Sequence, residues 1–253
     1  MIHVFLPAYN EAHALPILAS KFEAALGKER PYRLFIYDDG SRDATRQIAE
    51  SLKGRHPVEV RFHEHNAGLG QTLIDGFAEL VRTVRDEDVV VTLDCDDTHE
   101  PSFLIAALQE LDRGYDVVIL SRFKSGGGQQ GLSALKSFLS MGAGLFLKLF
   151  FPIRGVREYS CNFRVFRGSI VKKAHEVYGN TFIQLPHLGF VAAPEILIKM
   201  RMLGARITEV PFVLKYQQKM SPSANRAWKT ISGYFVLVWK YWLRRPAKDR
   251  SRA

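Results

Sequence analysis

The chain has few of the features that fix a protein in a membrane or cross-link it covalently. It contains no run of about 18 uncharged apolar residues, so no membrane-spanning helix is expected. Its first residues, MIHVFLP, have no basic region before the apolar stretch and do not resemble a signal peptide. Cys95 and Cys161, the only cysteines, form neither a metal-ligand spacing nor a disulfide framework. These absences fit a protein of the reducing cytoplasm.

Internal repeats, low-complexity tracts and long linkers are also missing. The chain has 253 residues, of which 47% are hydrophobic, and this is enough apolar material for a packed core. Such a length suits one large domain or two small ones. Because no linker separates two parts, we expect residues 1–253 to form a single domain.

Acidic residues are scarce in the second half of the chain. Residues 1–121 contain 12 Lys and Arg against 21 Asp and Glu, whereas residues 122–253 contain 23 against five. A strongly basic half predicts a polyanionic partner, either nucleic acid or an anionic membrane surface.

Short β-rich runs alternate with helical patterns in the first half. The predicted strands are residues 2–6, 33–37, 58–63, 89–93 and 116–120. The predicted helices are residues 12–27, 43–53, 70–85 and 102–113. This alternation indicates an α/β protein with a mostly parallel, doubly wound sheet.

The second half has a different pattern. A flexible loop is predicted at residues 125–131, which read SGGGQQG, and an apolar helix with sparse lysines follows at 132–155. Further on, the sequence predicts a helix near 192–203, two strands near 206–216 and a last helix from about 225 to 243. The last helix would form a C-terminal amphipathic extension of the domain.

Polar residues follow the ends of all five predicted strands. Ligands of doubly wound sheets bind beyond the carboxyl ends of the strands. The residues at those positions are Tyr9-Asn10-Glu11, Asp38-Asp39, Asn66, Asp94 to Asp96, and Ser121-Arg122. Five such clusters at one edge of a sheet predict a functional site.

The sequence VTLDCDDTHEP, residues 91–101, places three aspartates at the end of an apolar strand. Burying carboxylates costs several kcal/mol unless a partner neutralises them. A solvated turn followed by a helix N-cap would explain Asp, Thr and Pro here. A divalent cation would explain the carboxylates equally well, and the local pattern does not separate the two interpretations.

Six motifs together carry a resemblance to a known family. They are LPAYNEAHAL (6–15), YDDGSRDAT (37–45), NAGLGQTLIDGF (66–77), LDCDDTHEP (93–101), SRFKSGGG (121–128) and GFVAAPEILIKMRMLGARITEVPF (189–212). The sequence resembles glycosyltransferases of family 2, which have the nucleotide-sugar-binding GT-A fold. Within that family it is most similar to polyprenyl-phosphate sugar transferases of the dolichyl-phosphate mannose type. The resemblance covers nearly the whole chain.

This resemblance implies a set of donor-binding residues in the first half, 1–121. Pro7, Tyr9 and Glu11 would hold the nucleoside together with Tyr37 and Asp39, although DDGS alone fits an ordinary turn equally well. Asp94, Cys95 and Asp96 match the family's DxD motif, whose carboxylates meet ribose and a Mg²⁺ or Mn²⁺ ion on the donor diphosphate. Thr98 stands where the family often has a further metal ligand, whereas Asp97 matches no family position and is expected to be a helix cap or a solvated charge.

The acceptor side, residues 122–223, is implied in the same way. Arg122 matches an arginine near the donor and acceptor phosphates, and Lys136 and Ser140 match the acceptor-phosphate positions on one helix face. The family has an arginine at the position of Lys136. A lysine keeps the positive charge but cannot form the two parallel hydrogen bonds of a guanidinium to phosphate. Glu195 matches an acidic position near the reaction centre and would be a substrate-hydroxyl contact or a base; a carboxylate at a helix N-terminus is the alternative.

Two stretches depart from the family pattern. The family's D-x-T-S-G-F reads EYSCNF at residues 158–163, so Ser160 is kept and the glycine becomes Asn162. The loop with the donor-phosphate lysine reads YQQKMSPSAN at residues 216–225. That lysine aligns with Ala224 or with Lys219, and Arg226 is a further candidate for the donor site.

Composition predicts membrane contact by the C-terminal segment, residues 224–253. It has eight Lys and Arg against one acid, Asp249, interleaved with six aromatic residues, a composition that favours a membrane interface. Residues 138–151 add an apolar stripe, which would alternatively pack on the core. A nucleic-acid partner is disfavoured because no recognised binding motif accompanies the charge.

The resulting expectation is an inverting, metal-dependent transferase at the cytoplasmic face of the membrane. It would move a hexose of the mannose or glucose type from a GDP- or UDP-sugar to a polyprenyl phosphate such as dolichyl or undecaprenyl phosphate. Two alternatives stay open: a family member with a soluble or saccharide acceptor, and a member that binds nucleotide without transferring sugar.

Overall fold

The computed structural model describes residues 1–27, 30–218 and 227–243. The first half alternates strands and helices as predicted. Its elements are β1 (Ile2–Ala8), α1 (Ala14–Leu26), β2 (Tyr32–Asp38), α2 (Thr45–Leu52), β3 (Val58–Phe62), α3 (Leu69–Leu80), β4 (Val89–Thr92), α4 (Leu104–Asp112) and β5 (Val117–Ser121). Strands β1, β2 and β5 are almost entirely buried, as expected where helices cover both faces of a sheet.

The second half contributes the remaining elements. They are β6 (Gly128–Gln130), α5 (Ala134–Phe150), β7 (Arg164–Arg167), α6 (Gly168–Tyr178), α7 (Ala192–Met202), β8 (Ile207–Pro211), β9 (Val213–Lys215) and α8 (Ala227–Val238), which continues as a π-helix over Trp239–Leu243. The sequence did not predict β6, β7 or α6. The loop predicted at 125–131 contains β6, which pairs in parallel with β9 to form a small second sheet.

The main sheet has seven strands in the order β3-β2-β1-β4-β7-β5-β8. Strand β7 runs antiparallel to both neighbours, β4 and β5, and the other pairs are parallel. Ala8 pairs with Asp38 and Asp38 with Phe62, so the carboxyl ends of β1, β2 and β3 are level. Because β7 is reversed, the chain that precedes it, residues 158–163, arrives at that same edge.

Two apolar layers enclose the sheet. One contains Phe5, Phe35 and Phe77, whose rings meet edge to face or tilted, under α3, α6 and α7. The other contains Leu18 and Phe22 of α1 on the opposite side. Side chains of β1 enter both layers in alternation, which fixes the register of the central strand.

Helix α5 packs on this core with only a small part of its surface. Among its residues only Gly144 and Leu147 are buried. It contacts the C-terminal helix through two aromatic pairs, Phe146–Phe235 and Phe150–Trp242, whose ring centroids lie 5.1 and 5.3 Å apart. The two helices expose large apolar side chains: Leu135, Phe138, Leu139, Met141, Leu145, Leu149, Trp228, Phe235, Val236 and Trp239. We call this set the α5/α8 apolar face. No helix within the described ranges is long and apolar enough to span a bilayer.

Candidate active site

A solvent-open cleft of about 470 Å³ lies at the carboxyl edge of the sheet. The turn after β1 and the start of α1 form one wall, and the segment after β4 forms another. Its lining includes Asn10, Glu11, His13, Arg42, Asp96 and Asp97. Residues from two of the predicted clusters, those after β1 and β4, therefore meet in one cavity large enough for a nucleotide.

The turn after β1 is held by the segment after β2. Asn10 adopts a left-handed conformation, with φ of 57°, and its side-chain oxygen accepts a hydrogen bond from the Arg42 amide at 2.9 Å. The Glu11 amide donates to Thr45 Oγ1 at 2.8 Å. Pro7 is buried within β1, whereas Tyr9 and Glu11 are half-buried at the cleft. Of the three residues expected to hold the nucleoside, Tyr9 and Glu11 are thus the accessible ones.

Asp39 organises the loop that follows β3. Its buried carboxylate accepts hydrogen bonds from His63 Nδ1 at 2.8 Å, from Asn66 Nδ2 at 3.0 Å, and from the Ala67 and Gly68 amides at 2.8 Å each. Four donors match the acceptor capacity of a carboxylate. The structure therefore gives Asp39 a role in shaping this loop, and its contact with the nucleoside stays a prediction.

Tyr37 differs from its predicted role as a nucleotide contact. Its ring lies in the core layer under α3, edge to face with Phe35 and 4.7 Å from the His63 ring. Burial raises the pKa of its hydroxyl. The prediction was wrong because alternation along β2 turns residue 37 away from the cleft, while the rim begins at Asp38.

Asp94 and Asp96 lie at the end of β4, as the DxD motif requires. Asp94 is half-buried and its Oδ1 accepts from Asn162 Nδ2 at 3.3 Å. The Oδ1 atom of Asp96 accepts from the Thr98 hydroxyl at 2.7 Å and from the Thr98 amide at 3.2 Å. Thr98 therefore orients Asp96, whether or not its hydroxyl also meets a metal.

Cys95 points away from this edge. It packs in the core layer beside α1, and burial raises the pKa of its thiol well above the usual range. Its side chain is buried, so only its backbone can face a ligand at the nucleotide-sugar site predicted for the DxD motif. His99 is also buried, stacked on Phe212, and burial lowers its pKa, which leaves the imidazole neutral behind the motif.

Asp97 is neither a helix cap nor a solvated charge. It is buried, adopts a left-handed conformation with φ of 60°, and pairs with Lys21 at 2.8 Å. The next helical turn begins at Pro101, with Glu100 at the cap position. The partner could not be predicted from the sequence because Lys21 lies on α1, 76 residues earlier in the chain.

The residues after β4 fit a hard divalent cation that also binds phosphate. In the described part of the chain, no group of three or more His, Cys, Asp or Glu side chains forms a complete metal site. Mg²⁺ commonly binds through one or two carboxylates together with substrate phosphates and water. Asp94 and Asp96 provide two carboxylates, which is the donor set expected before the phosphates arrive.

Arg122 forms a buried ion pair that the sequence did not reveal. Its Nε and Nη2 atoms donate to the two carboxylate oxygens of Glu158 at 2.8 and 2.9 Å, and Nη2 also reaches Ser160 Oγ at 3.3 Å. Burial raises the pKa of a carboxyl, but Arg122 and hydrogen bonds outweigh it and leave the Glu158 pKa lowered. The only signal for Glu158 in the sequence is that it matches the acidic residue at the start of the family's D-x-T-S-G-F motif. That match does not identify Arg122 as its partner.

One of the two acceptor-side residues predicted on α5, Ser140, contacts this pair. Arg122 Nη2 also donates to Ser140 Oγ at 3.2 Å. Lys136, one turn before Ser140, is exposed, and its ammonium lies 3.3 Å from the Tyr216 hydroxyl. The structure thus places a guanidinium, a hydroxyl and an exposed ammonium around the start of α5.

Glu195 has a structural setting that differs from the predicted reaction-centre role. It is fully buried, accepts from the Gln184 and Leu185 amides at 2.8 and 3.1 Å, and accepts from the Tyr241 hydroxyl at 2.5 Å. Lys199, one turn later on α7, lies 3.3 Å from it. Its carboxylate therefore ties the end of the C-terminal helix to α7, and we assign it no catalytic step.

Lys219, Ala224 and Arg226, the candidates for the donor-phosphate cation, lie outside the described residues. So does most of the basic C-terminal tail. The strand that leads into that loop, β9, is described: the Lys215 amide donates to the Thr98 carbonyl at 3.0 Å. The end of β9 therefore lies beside the DxD segment.

Solved structures with low sequence identity share this architecture. The glucosyl-3-phosphoglycerate synthase of Mycobacterium tuberculosis, solved with Mn²⁺, UDP and glucosyl-3-phosphoglycerate, has a TM-score of 0.63 and 17% identity, over 98% of this chain and 81% of that chain. The TarS structure from S. aureus (residues 1–349) has a TM-score of 0.53 and 14% identity, over 99% and 77% of the two chains. At such identities the likeness establishes the fold alone, and this fold is GT-A.

Curated relatives are more similar in sequence. The dolichol-phosphate mannosyltransferase of Pyrococcus furiosus is 29% identical over 212 residues, which are 83% of this chain and 55% of that protein. The polyprenol monophosphomannose synthase of Mycolicibacterium smegmatis is 29% identical over 172 residues, 67% of this chain and 63% of that protein. The chain thus spans less than two thirds of either relative.

A family model described as glycosyl transferase family 2 matches residues 3–174. The matched region runs from β1 to α6 and includes the cleft, the aspartates after β4 and the Arg122–Glu158 pair. The chain belongs to glycosyl transferase family 2.

Proposed function

We propose that the protein is an inverting transferase that moves a hexose from a nucleoside diphosphate sugar to a polyprenyl phosphate at the cytoplasmic face of a membrane. One observation carries the choice of acceptor: Ser140, which Arg122 contacts, lies on α5, and the remainder of α5 is largely an exposed apolar surface. A phosphate bound beside Arg122 would have its lipid tail next to an apolar face. The relatives' names, which refer to polyprenol and dolichol phosphates, support the same choice.

In this proposal the first half of the chain binds the donor and the second half positions the acceptor. Residues 1–121 bind the donor, with Tyr9 and Glu11 beside the nucleoside and the loop shaped by Asp39 closing one side of the cleft. Asp94 and Asp96 would hold Mg²⁺ or Mn²⁺, which when bound offsets the charge that develops on the departing nucleoside diphosphate. Residues 122–223 position the acceptor, and residues 224–253 contact the membrane.

The acceptor chemistry explains why the site requires no general base. A sugar hydroxyl must lose a proton as it attacks, whereas a phosphate monoester is already an anionic nucleophile near neutral pH. Arg122 can orient that phosphate, but Glu158 already balances its charge. The exposed Lys136 supplies the net positive charge. An attack from the side opposite the leaving diphosphate would invert the anomeric centre.

The proposal is tested by a screen for products. Purified protein would be incubated with GDP-mannose, GDP-glucose, UDP-glucose or UDP-mannose, each with undecaprenyl phosphate, dolichyl phosphate or 3-phosphoglycerate, and the products identified by mass spectrometry. We expect a polyprenyl-phosphate hexose that requires Mg²⁺ or Mn²⁺. A product on the soluble acceptor alone, or donor binding without transfer, would contradict the proposal and favour one of the two alternatives.

Lys136→Ala should raise the KM for polyprenyl phosphate about tenfold while the nucleotide affinity stays within twofold, because the ammonium faces the acceptor side. The measurement is steady-state kinetics with a short-chain, water-soluble prenyl phosphate, together with nucleotide calorimetry. Lys148→Ala is the matched control, since Lys148 is exposed on the same helix three turns away. An equal loss of nucleotide affinity would show that Lys136 belongs to the donor end.

The α5/α8 apolar face should bind anionic vesicles in a salt-sensitive manner. No acidic residue lies between residues 132 and 157, and each Lys or Arg near an anionic surface contributes about 1 kcal/mol. Replacing Leu145 and Leu149, which are 71% and 75% exposed, by Ser should reduce flotation with phosphatidylserine vesicles at least fivefold. Val177→Ser on α6 is the control, since it removes an apolar side chain that is 56% exposed elsewhere on the surface. If both variants float equally well, the assigned face is wrong.

A further inference from the structure

Lys21 makes two ion pairs with the segment after β4. From α1 its ammonium reaches Asp97 at 2.8 Å and Glu100 at 3.3 Å. Glu100 is also paired with Lys215 of β9 at 3.2 Å. Two lysines from different elements, α1 and β9, therefore form ion pairs with the acidic turn after β4.

Asp97 is the member of this turn that most needs a partner. It is adjacent to Asp96, lines the same cleft, and is buried in a backbone conformation that Asp adopts less readily than Gly or Asn. A buried carboxylate without a counter-ion is strongly destabilising. Without Lys21, the Asp97 carboxylate would lose its ion-pair partner and add its charge to those of Asp94 and Asp96 at the predicted donor site.

We propose that Lys21 is a positioning residue that neutralises Asp97 and so confines metal binding to Asp94 and Asp96. This inference rests on the proposed function, because it assumes that a divalent cation and a diphosphate bind at this edge. The ion pair limits the negative charge that an incoming diphosphate meets. It also fixes the turn whose Thr98 carbonyl accepts from the Lys215 amide, at the point where the chain leaves for residues 219–226.

The proposal predicts two effects of opposite sign. In Lys21→Met the uncompensated Asp97 adds negative charge beside the metal ligands. Binding of Mn²⁺ alone should tighten by at least about threefold, and binding of GDP or UDP without metal should weaken by at least about threefold. The double variant Lys21→Met/Asp97→Asn should return both affinities to within about twofold of wild type, because Asn suits the left-handed position and carries no charge.

The experiment combines Mn²⁺ titration by electron paramagnetic resonance with nucleotide calorimetry. Lys172→Met is the matched control, since it removes a lysine from a surface pair with Asp86 at 2.6 Å. Loss of both affinities in Lys21→Met, without recovery in the double variant, would show general damage to the fold and overturn the proposal. Unchanged affinities would overturn it as well.

Hydrogen exchange in the metal-free protein separates this inference from the proposed function. The Lys215 amide should exchange at least about tenfold faster in Lys21→Met and return to the wild-type rate in the double variant. If the wild-type protein binds neither Mn²⁺ nor nucleotide, the proposed function fails, and with it the assignment of metal to Asp94 and Asp96. If the protein binds both but the exchange of Lys215 is unaffected, only the role of Lys21 fails.

Discussion

Asp96→Asn should lower the rate of sugar transfer by at least about a hundredfold. Asn keeps the shape of the side chain and an oxygen that can accept from the Thr98 hydroxyl and amide, but it removes the negative charge. Removing one well-placed group that stabilises developing charge commonly costs a factor of about 100 to 1,000 in rate. Metal affinity in the presence of nucleotide should fall in parallel.

The fold should not suffer from this change. Removing one of several adjacent carboxylates relieves repulsion in the metal-free protein, so the midpoint of thermal unfolding should stay constant or rise. Asp86→Asn is a suitable control because Asp86 is an exposed aspartate that pairs with Lys172 on the surface. Metal-dependent turnover at the wild-type rate in Asp96→Asn would remove the basis for a metal site after β4.

Glu158→Gln should abolish detectable transfer and destabilise the fold by about 3–5 kcal/mol, because it leaves the buried Arg122 guanidinium without its counter-ion. Loss of activity alone would not distinguish a misplaced Arg122 from an unfolded protein. The double variant Arg122→Met/Glu158→Gln makes this distinction. Replacing both members of a buried pair by neutral groups often restores stability, so this variant should unfold near the wild-type temperature and stay inactive.

Glu158→Asp is the conservative counterpart, since it keeps the charge and restores the residue that the family has at this position. We expect activity between that of wild type and Glu158→Gln, with the loss mainly in the KM for the acceptor. Calorimetry and acceptor kinetics on the three variants provide the test. Substantial transfer by the Arg122→Met double variant would show that this arginine does not act on the phosphate.

The Arg122–Glu158 pair should also make the free energy of unfolding depend on pH in the acid range. Arg122 and hydrogen bonds lower the Glu158 pKa in the folded state despite burial, relative to about 4.3 in the unfolded chain. The pair's contribution is therefore complete above about pH 5 and is lost as the pH falls through the lowered folded pKa.

The sequence predicted the edge of the sheet well because the relevant signals are local. Each of the first five strands ends within two residues of its predicted end, and polar residues that follow β1 and β4 meet at the cleft. The predictions failed where the relevant partner is distant. Nothing near EYSCNF shows that β7 enters the sheet in reverse, so Glu158 could not be placed beside Arg122 from the sequence.

The direction in which each side chain points was the second property that could not be predicted from the sequence. Tyr37 and Cys95 stand inside matching motifs, but alternation along a strand and the turn after β4 direct both into the core. Asp39 was correctly placed at the edge, and only the structure shows that four donors of the protein already fill its carboxylate. Motif position identifies which segment reaches the site, whereas packing decides which side chains face the ligand.

The most direct test of the central claim is anomalous diffraction from crystals grown with Mn²⁺ and the nucleoside diphosphate of the preferred donor. We expect one strong manganese peak about 2.2 Å from an oxygen of the Asp94 or Asp96 carboxylate. The same ion should also bind the diphosphate. Asp97 should stay paired with Lys21, outside the coordination sphere. A manganese ion bound elsewhere, or a nucleotide that occupies a cavity other than the cleft beside Asp96, would contradict the account.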